Sequence, residues 1–374
     1  MAPDETPALD GDTALARRVA TQRLVGEPLP SAAAVVELLA CVQAQEWAHA
    51  VWSVGMRSAG TTHDQILAAF DAGDLLRTHV LRPTWHLVAP ADLGWILAAT
   101  ADRVHVKNAG MYRREGVDAA TAARACDLLV ALLDGGRTLT RSEIGERLAA
   151  AGIESPVGFR LSYLVMHAEL EGLIVSGPLR GQQHTYALVS ERLAGRPVRT
   201  PDDPLAELWH RFVVGHGPTS VRDFARWSSL TLTAARAAAG RVADRLESAV
   251  VGTEEVWWDP AAPDVAPAAV RDVVRLLPLY DELTLSYPRL GFPLATGHPH
   301  PPDADLRWGS VLAGLTSVGV WRRTIVEGRR RTVRVAAALA PGTTSAQRAA
   351  VDAELDRLAE FLDAEAVREE WDGR

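Results

Sequence analysis

One pattern recurs three times along this chain: a short helix, a turn, a second helix, then a pair of strands joined at glycine or proline. A chain so patterned is built from modules, and 374 residues leave room for two to four of them. The middle copy is the clearest. Thr140 stands where an N-cap is needed and Glu143 follows three residues on, the reciprocal pair of a capping box. The spacing predicts a helix from Ser142 to Ala150, stopped at Gly152. A second helix is expected from Gly158 to Glu171, with Leu161, Leu164, Val165, Ala168 and Leu170 near helical spacing. Leu173–Val175 and Thr185–Val189 then read as strands around the polar loop Gly177–Gln183. Helix-turn-helix plus a hairpin is a winged helix.

The N-terminal copy has expected helices near Ala14–Leu24, Ser31–Ala40, Ala48–Arg57 and His63–Ala72, then a hairpin from Leu75 to Val88 turning at Arg82-Pro83. The third copy follows the linker Gly195–Pro201, with helices Leu205–Val214, Ser220–Trp227 and Thr231–Leu246. After Ala261–Pro267 the composition turns strand-like, with candidate strands Arg271–Leu277, Thr316–Thr324 and Arg331–Ala338 and a closing helix Ser345–Ala366. The expected fold is α+β: winged helices over residues 1–125, 126–195 and 196–262, and a β-rich C-terminal module over 263–374. Tandem winged helices commonly bind nucleic acid, although many make only protein contacts.

Composition narrows the class. With 48% hydrophobic and 23% charged residues the chain is of soluble globular type. No apolar run approaches the roughly 20 residues that span a bilayer, so no membrane association is expected. The start Met1-Ala2-Pro3-Asp4-Glu5 lacks the basic and apolar regions of a signal peptide, and the expected location is cytoplasmic. Two cysteines, Cys41 and Cys126, exclude a disulfide framework and read as core residues of apolar helices. The net charge of −8 hides an asymmetry: Trp321–Arg334 carries six arginines against Glu327, while Val351 onward carries nine acidic residues against three arginines. A basic working face with an acidic tail fits that distribution.

The chemistry-bearing residues follow. Gln43-Ala44-Gln45 comes directly after an apolar run. Helix positions two apart face away from each other, so two amides can share a target only where the chain is extended or turning. Each amide offers donors and an acceptor, and neither titrates. Such a pair can orient a water or a base edge but is a poor proton acceptor; on its own the motif reads first as two ordinary surface glutamines, and only other features raise it above that. Asp281-Glu282 could supply a general base or cap a helix. In the first hairpin, Arg77, His79 and Leu81 share one strand face, and Arg82, Thr84 and His86 share one face beyond the turn. An exposed wing of this kind could hold phosphates, with Trp85 packed inside. Trp321–Arg331 reads as a second hairpin turning at Glu327-Gly328, whose arginines enter a groove or form a solvated ribbon. His298-Pro299-His300 reads as a loop, and no metal or cofactor motif is present.

Together these elements resemble the winged-helix DNA glycosylases of the AlkZ/YcaQ type. The residues carrying the likeness are Gln43-Ala44-Gln45, Arg77-Thr78 through Pro83-Thr84-Trp85-His86, His216-Gly217-Pro218 with Asp223–Ser228, Leu277–Glu282, and Gly319–Arg323. The likeness runs over about residues 14 to 370 and is greatest to the AlkZ branch, with Gln-x-Gln; the other branch carries Gln-x-Asp, so Gln45 stands in place of a carboxylate. It implies three tandem winged helices and a β-rich C-terminal module forming a concave surface for double-stranded DNA, and a monomer. It implies hydrolytic removal of N7-alkylguanine, including bulky adducts and azinomycin-type interstrand crosslinks, with Gln43 and Gln45 as the catalytic pair. The expected DNA contacts are Trp47, His49, Arg57, Arg77, His79, Arg82, Thr84, His86, Arg322, Arg323, Arg329, Arg330 and Arg331. With Lys107 the only lysine and no lysine nucleophile evident, a monofunctional enzyme is expected. The alternative is a DNA-binding transcription regulator that gives the glutamines no chemical role.

Overall fold

The computed structural model of the chain describes residues 7–154, 158–288, 291–300, 308–326 and 331–369. The first repeat opens with α1 (Gly11–Thr21) and α2 (Ala32–Leu39), each started by a side-chain cap, Asp10 and Ser31. Ala40, with φ 60°, ends α2 in the left-handed region and turns the chain into β1 (Cys41–Gln43). After α3 (Trp47–Gly55) and α4 (His63–Ala72) come β2 (Leu76–Val80) and β3 (Thr84–Val88), with strand order β1-β3-β2. Cys41 therefore lies in a strand rather than in the expected helix; a three-residue strand continuing an apolar run leaves no periodicity to read.

Two long helices that the sequence reading left unassigned, α5 (Leu93–Arg114) and α6 (Ala119–Leu133), lead to the second repeat. There α7 (Arg141–Ala150), α8 (Phe159–Leu170), β5 (Ile174–Ser176) and β6 (Thr185–Leu188) match expectation, a short strand β4 (Leu139–Thr140) precedes them unexpected, and the Thr140–Glu143 capping box is formed in both directions. The short α9 (Val189–Arg192) and α10 (Pro204–His216) precede α11 (Val221–Ser228), α12 (Leu232–Arg241) and a hairpin, β7 (Glu247–Val251) with β8 (Glu254–Trp258). The expected helix to Leu246 thus stops five residues early.

The C-terminal part holds α13 (Pro267–Val270), β9 (Val274–Leu277), α14 (Glu282–Leu285), β10 (Gly309–Ala313), β11 (Thr316–Val326), β12 (Thr332–Leu339), α15 (Ser345–Phe361) and β13 (Glu365–Glu369). Its five strands run in the order β13-β12-β11-β10-β9. The closing helix is shorter than expected: Asp363, at φ 47°, breaks it and frees β13 to pair parallel with β12. β11 and β12 pair from Gly319↔Leu339 to Val326↔Thr332, flanking the expected arginine turn, which lies outside the described residues with Arg329 and Arg330.

The cores cross the sequence segments. One apolar cluster joins Val35, Leu39, Trp52 and Phe70 of the first repeat to Leu276, Trp321, Leu355 and Phe361. Trp52 Nε1 donates to the Leu276 carbonyl at 2.9 Å, and its ring meets Phe361 at 5.2 Å. A second cluster joins β2 and β3 to Trp209, Phe212, Phe224 and Trp227. Burial of these large rings, worth about 25 cal/mol per Å² of apolar area, presses the chain after β9 and the end of α11 against β1. Among the described residues no helix is long and apolar enough to cross a membrane.

Candidate active site

β1 is gripped from three sides. Its register sets Gln43 opposite His86 on β3. The Gln43 N–H donates to Glu282 Oε1 at 3.0 Å. The next peptide is held equally: Ala44 N–H donates to the Trp85 carbonyl at 2.7 Å, and Arg77 Nε donates to the Ala44 carbonyl at 3.0 Å. Gln45 then leaves the strand and is exposed, while Gln43 is buried. The glutamines thus straddle a strand end and the bend after it, an extended or turning stretch as their spacing requires, though not at a helix end.

The Gln43 side chain is fixed by Arg82. Arg82 Nη2 donates to Gln43 Oε1 at 2.6 Å and to His86 Nε2 at 3.1 Å, and Nη1 donates to the Trp227 carbonyl at 2.9 Å. A guanidinium has only donors, so the amide oxygen must face it. His86 donates Nδ1–H to the Thr84 carbonyl at 2.9 Å and keeps Nε2 as an acceptor. Burial, then the charge of Arg82, pushes the His86 pKa well down, which agrees with a neutral ring. Thr84, half-buried, contributes through that carbonyl.

Behind this layer sits a carboxylate sealed from solvent. Glu282 is fully buried; Oε1 takes Gln43 N–H and Oε2 takes Trp227 Nε1–H at 2.8 Å, with His216 Nε2 at 3.4 Å. Burial alone would raise its pKa, but His216, Arg82 and the Gln43 N–H together hold it below the usual range. Asp281 caps α14 through Leu283 N–H and pairs with Arg57 at 2.8 Å through both oxygens. Neither carboxylate reaches solvent, so neither is placed as a general base; the capping alternative holds for Asp281.

Several expected DNA contacts lie inside the protein instead. Arg57 is fully buried on Asp281, Ser53 and Gln22. The first hairpin is not an exposed wing. Every residue of β2 is buried because α5, α8 and β5 pack on it. His79 pairs with Glu169 at 2.5 Å and lies on Trp85 at 4.4 Å, and Arg77 stacks on the same ring at 4.3 Å. His49 accepts from Leu279 N–H at 3.0 Å, and burial plus the charge of Arg323 takes its pKa down to about 4. These side chains hold the site; contact with a duplex would require them to leave it.

The remaining expected contacts sit nearer the surface. Trp47 is half-buried against Phe70 at 4.6 Å and His184 at 4.9 Å. Arg323 donates to the Ala48 carbonyl, on the first turn of α3, and its buried Nη1 has no hydrogen-bond partner. Arg322 stacks on Trp308 at 4.9 Å, and Arg331 donates to the Leu362 carbonyl at 2.8 Å. A cleft of about 330 Å³ is lined by Arg77, Trp85, Arg141, Gln183, His184 and Tyr186, of which Arg77 and Trp85 also hold the Ala44 peptide, with Trp85 Nε1 and His184 Nδ1 buried and unpartnered. Sequence reasoning missed the Glu282–Gln43 link and the role of Trp227, which no local signal announces.

Chemically the exposed part of this arrangement is a neutral amide next to an arginine-held amide, with a cleft alongside. The family described as "DNA glycosylase AlkZ-like" matches residues 36–361. An interstrand DNA cross-link repair glycosylase of Streptomyces sahachiroi is 27% identical over 278 residues, 72% of this chain and 75% of that protein. The solved structure of the Streptomyces sahachiroi DNA glycosylase AlkZ has the same fold, with TM-score 0.77 over 97% of this chain and 100% of that one, at 22% identity.

Proposed function

This chain belongs to the AlkZ-like DNA glycosylases, and we propose that it hydrolyses the N-glycosidic bond of N7-alkylguanine in duplex DNA, interstrand crosslinks included, at a water held by Gln43 and Gln45. As a DNA glycosylase it is an enzyme with DNA as substrate, which removes the regulator alternative. The observation that carries the finer reading is the fixed Gln43 amide, its oxygen on Arg82 at 2.6 Å, two residues before the exposed Gln45.

N7-alkylation makes guanine cationic. The C1′–N9 bond can therefore break with its electron pair returning to the ring, and the base leaves neutral without an acid. Water adds its oxygen to C1′ of the oxocarbenium-like sugar and loses its proton to solvent. The protein has to place that water and favour positive charge at the sugar. Gln45 has a free amide for the first task, and Gln43 Oε1 keeps one lone pair beyond the bond to Arg82. Preorganised dipoles of this kind supply the electrostatic part without reorganising during reaction. The relative from Streptomyces sahachiroi is named for cross-link repair, and an exposed Gln45 suits a base still tied to the opposite strand, which a closed pocket would exclude.

The test is release of free base from duplex DNA containing N7-methylguanine, under single-turnover conditions. Gln43→Ala and Gln45→Ala are each expected to cut excision by roughly 10²–10³ and to keep DNA affinity within a few-fold. Gln45→Asp, which restores the other branch's carboxylate, should retain activity if an oxygen that orients water is what the site needs. Wild-type excision by either alanine variant would remove the glutamines from the mechanism. Binding without release by the unaltered protein would remove the substrate assignment.

A further inference from the structure

We infer that His105, His167 and Glu171 form a site for one divalent transition-metal ion of the zinc class, clasping α5 to α8. The three ligand atoms lie within 4.8 Å of one another. Glu171 Oε1 is 3.2 Å from His105 Nε2 and 3.7 Å from His167 Nε2. Zinc bonds of about 2.0–2.2 Å in tetrahedral array put neighbouring ligand atoms roughly 3.3–3.5 Å apart. The two edges to Glu171, at 3.2 and 3.7 Å, lie on either side of that spacing, and the whole set stays within 4.8 Å.

The donor types suit the ion, since two imidazoles and a carboxylate are standard zinc ligands with a water completing the fourth position. His167 and Glu171 stand four residues apart at the end of α8, on one face, and His105 comes from α5. His105 Nδ1 lies 2.9 Å from Tyr112 Oη, the outer contact that turns Nε2 toward a metal. The Tyr112 ring also walls the site, 6.0 Å from His105 and 5.9 Å from His167. Both histidine side chains are about four-fifths buried, 21% and 23% exposed, while Glu171 at 49% gives the ion an entrance. Hydrogen bonding within the cluster does not account for it: His105 Nε2, 3.2 Å from the carboxylate, is buried without a hydrogen-bond partner, and His167 Nε2 at 3.7 Å is beyond hydrogen-bond reach.

The site is independent of the glutamine chemistry, and so is its test. The full chain, stripped by chelator, is titrated calorimetrically with zinc chloride, and the cobalt(II) form is examined for tetrahedral d–d absorption. One equivalent should bind, and the melting temperature should rise with zinc. His105→Ala, His167→Ala and the surface variant Glu171→Gln should each lose the equivalent and the thermal shift, with melting in chelator close to that of the unaltered chain. Tyr112→Phe should bind roughly tenfold more weakly. No stoichiometric binding overturns the site. So does binding that the histidine variants retain at full affinity, which would mark scattered surface contacts.

Discussion

Arg82→Lys tests the reasoning about the active site most sharply, because it keeps the charge and removes only the geometry. Arg82 makes three directed contacts, to Gln43 Oε1 at 2.6 Å, His86 Nε2 at 3.1 Å and the Trp227 carbonyl at 2.9 Å. A lysine ammonium has no planar fork and can reach one of these well. A hydrogen bond to a charged group contributes about 1.5–3 kcal/mol. At about 1.4 kcal/mol per tenfold in rate, loss of the Gln43 contact alone should slow excision by roughly 10- to 100-fold. The assay is single-turnover release of N7-methylguanine at saturating enzyme, beside thermal melting to account for folding. Arg82 is argued to act through Gln43, so the two residues must be coupled. In a Gln43→Ala background, Arg82→Lys should cost little further activity. A wild-type rate for Arg82→Lys, or full additivity in the double variant, would refute the claim that this arginine sets the amide.

Arg57→Ala should be a stability variant: it leaves Asp281 buried and unpaired, at a cost of about 3–5 kcal/mol, read by chemical denaturation, and the folded fraction should keep its salt dependence of DNA binding. Arg329→Ala and Arg330→Ala should each lower the slope of log affinity against log salt by about 0.9, whereas Arg331, turned to the Leu362 carbonyl, should contribute less; an unchanged slope for the first two would return that ribbon to bulk solvent. Stability should fall with acid between about pH 6.5 and 4. Burial, with Arg323 and Arg77 adding, takes His49 and His184 down to about 4, and His86 is lowered in the same direction. A depressed histidine leaves the unfolded chain binding more protons, so its contribution is whole above the unfolded value near 6.5 and drains as pH falls toward 4. Equal denaturation midpoints at pH 7.5 and 5 would contradict this.

The helices were legible where a cap and apolar spacing coincide, as at Thr140 with Glu143 before α7. The hairpin around Arg82-Pro83 was legible from its turn, and the glutamines from their spacing after an apolar run. What the hairpin does was not legible, because strand alternation assigns faces but not what covers them. Arg77, His79 and His86 look like a phosphate-holding wing until α5, α8 and β5 are set over them. Burial then reverses their meaning. A buried arginine must spend its donors on neighbours, and here it spends them on Ala44 and the face of Trp85. The same holds for the pair after β9. Asp281 and Glu282 are adjacent in sequence yet serve different partners, Arg57 for one and Gln43 with Trp227 for the other, at separations of 224, 239 and 55 residues. No periodicity encodes such links; they arise when one apolar core brings β9 against α3. The Gln43 amide, reactive on the reading proposed above, therefore rests on ionised residues that are partly or wholly buried. Those two charges divide the residue between them: Arg82 fixes the side-chain amide of Gln43 and Glu282 its backbone N–H.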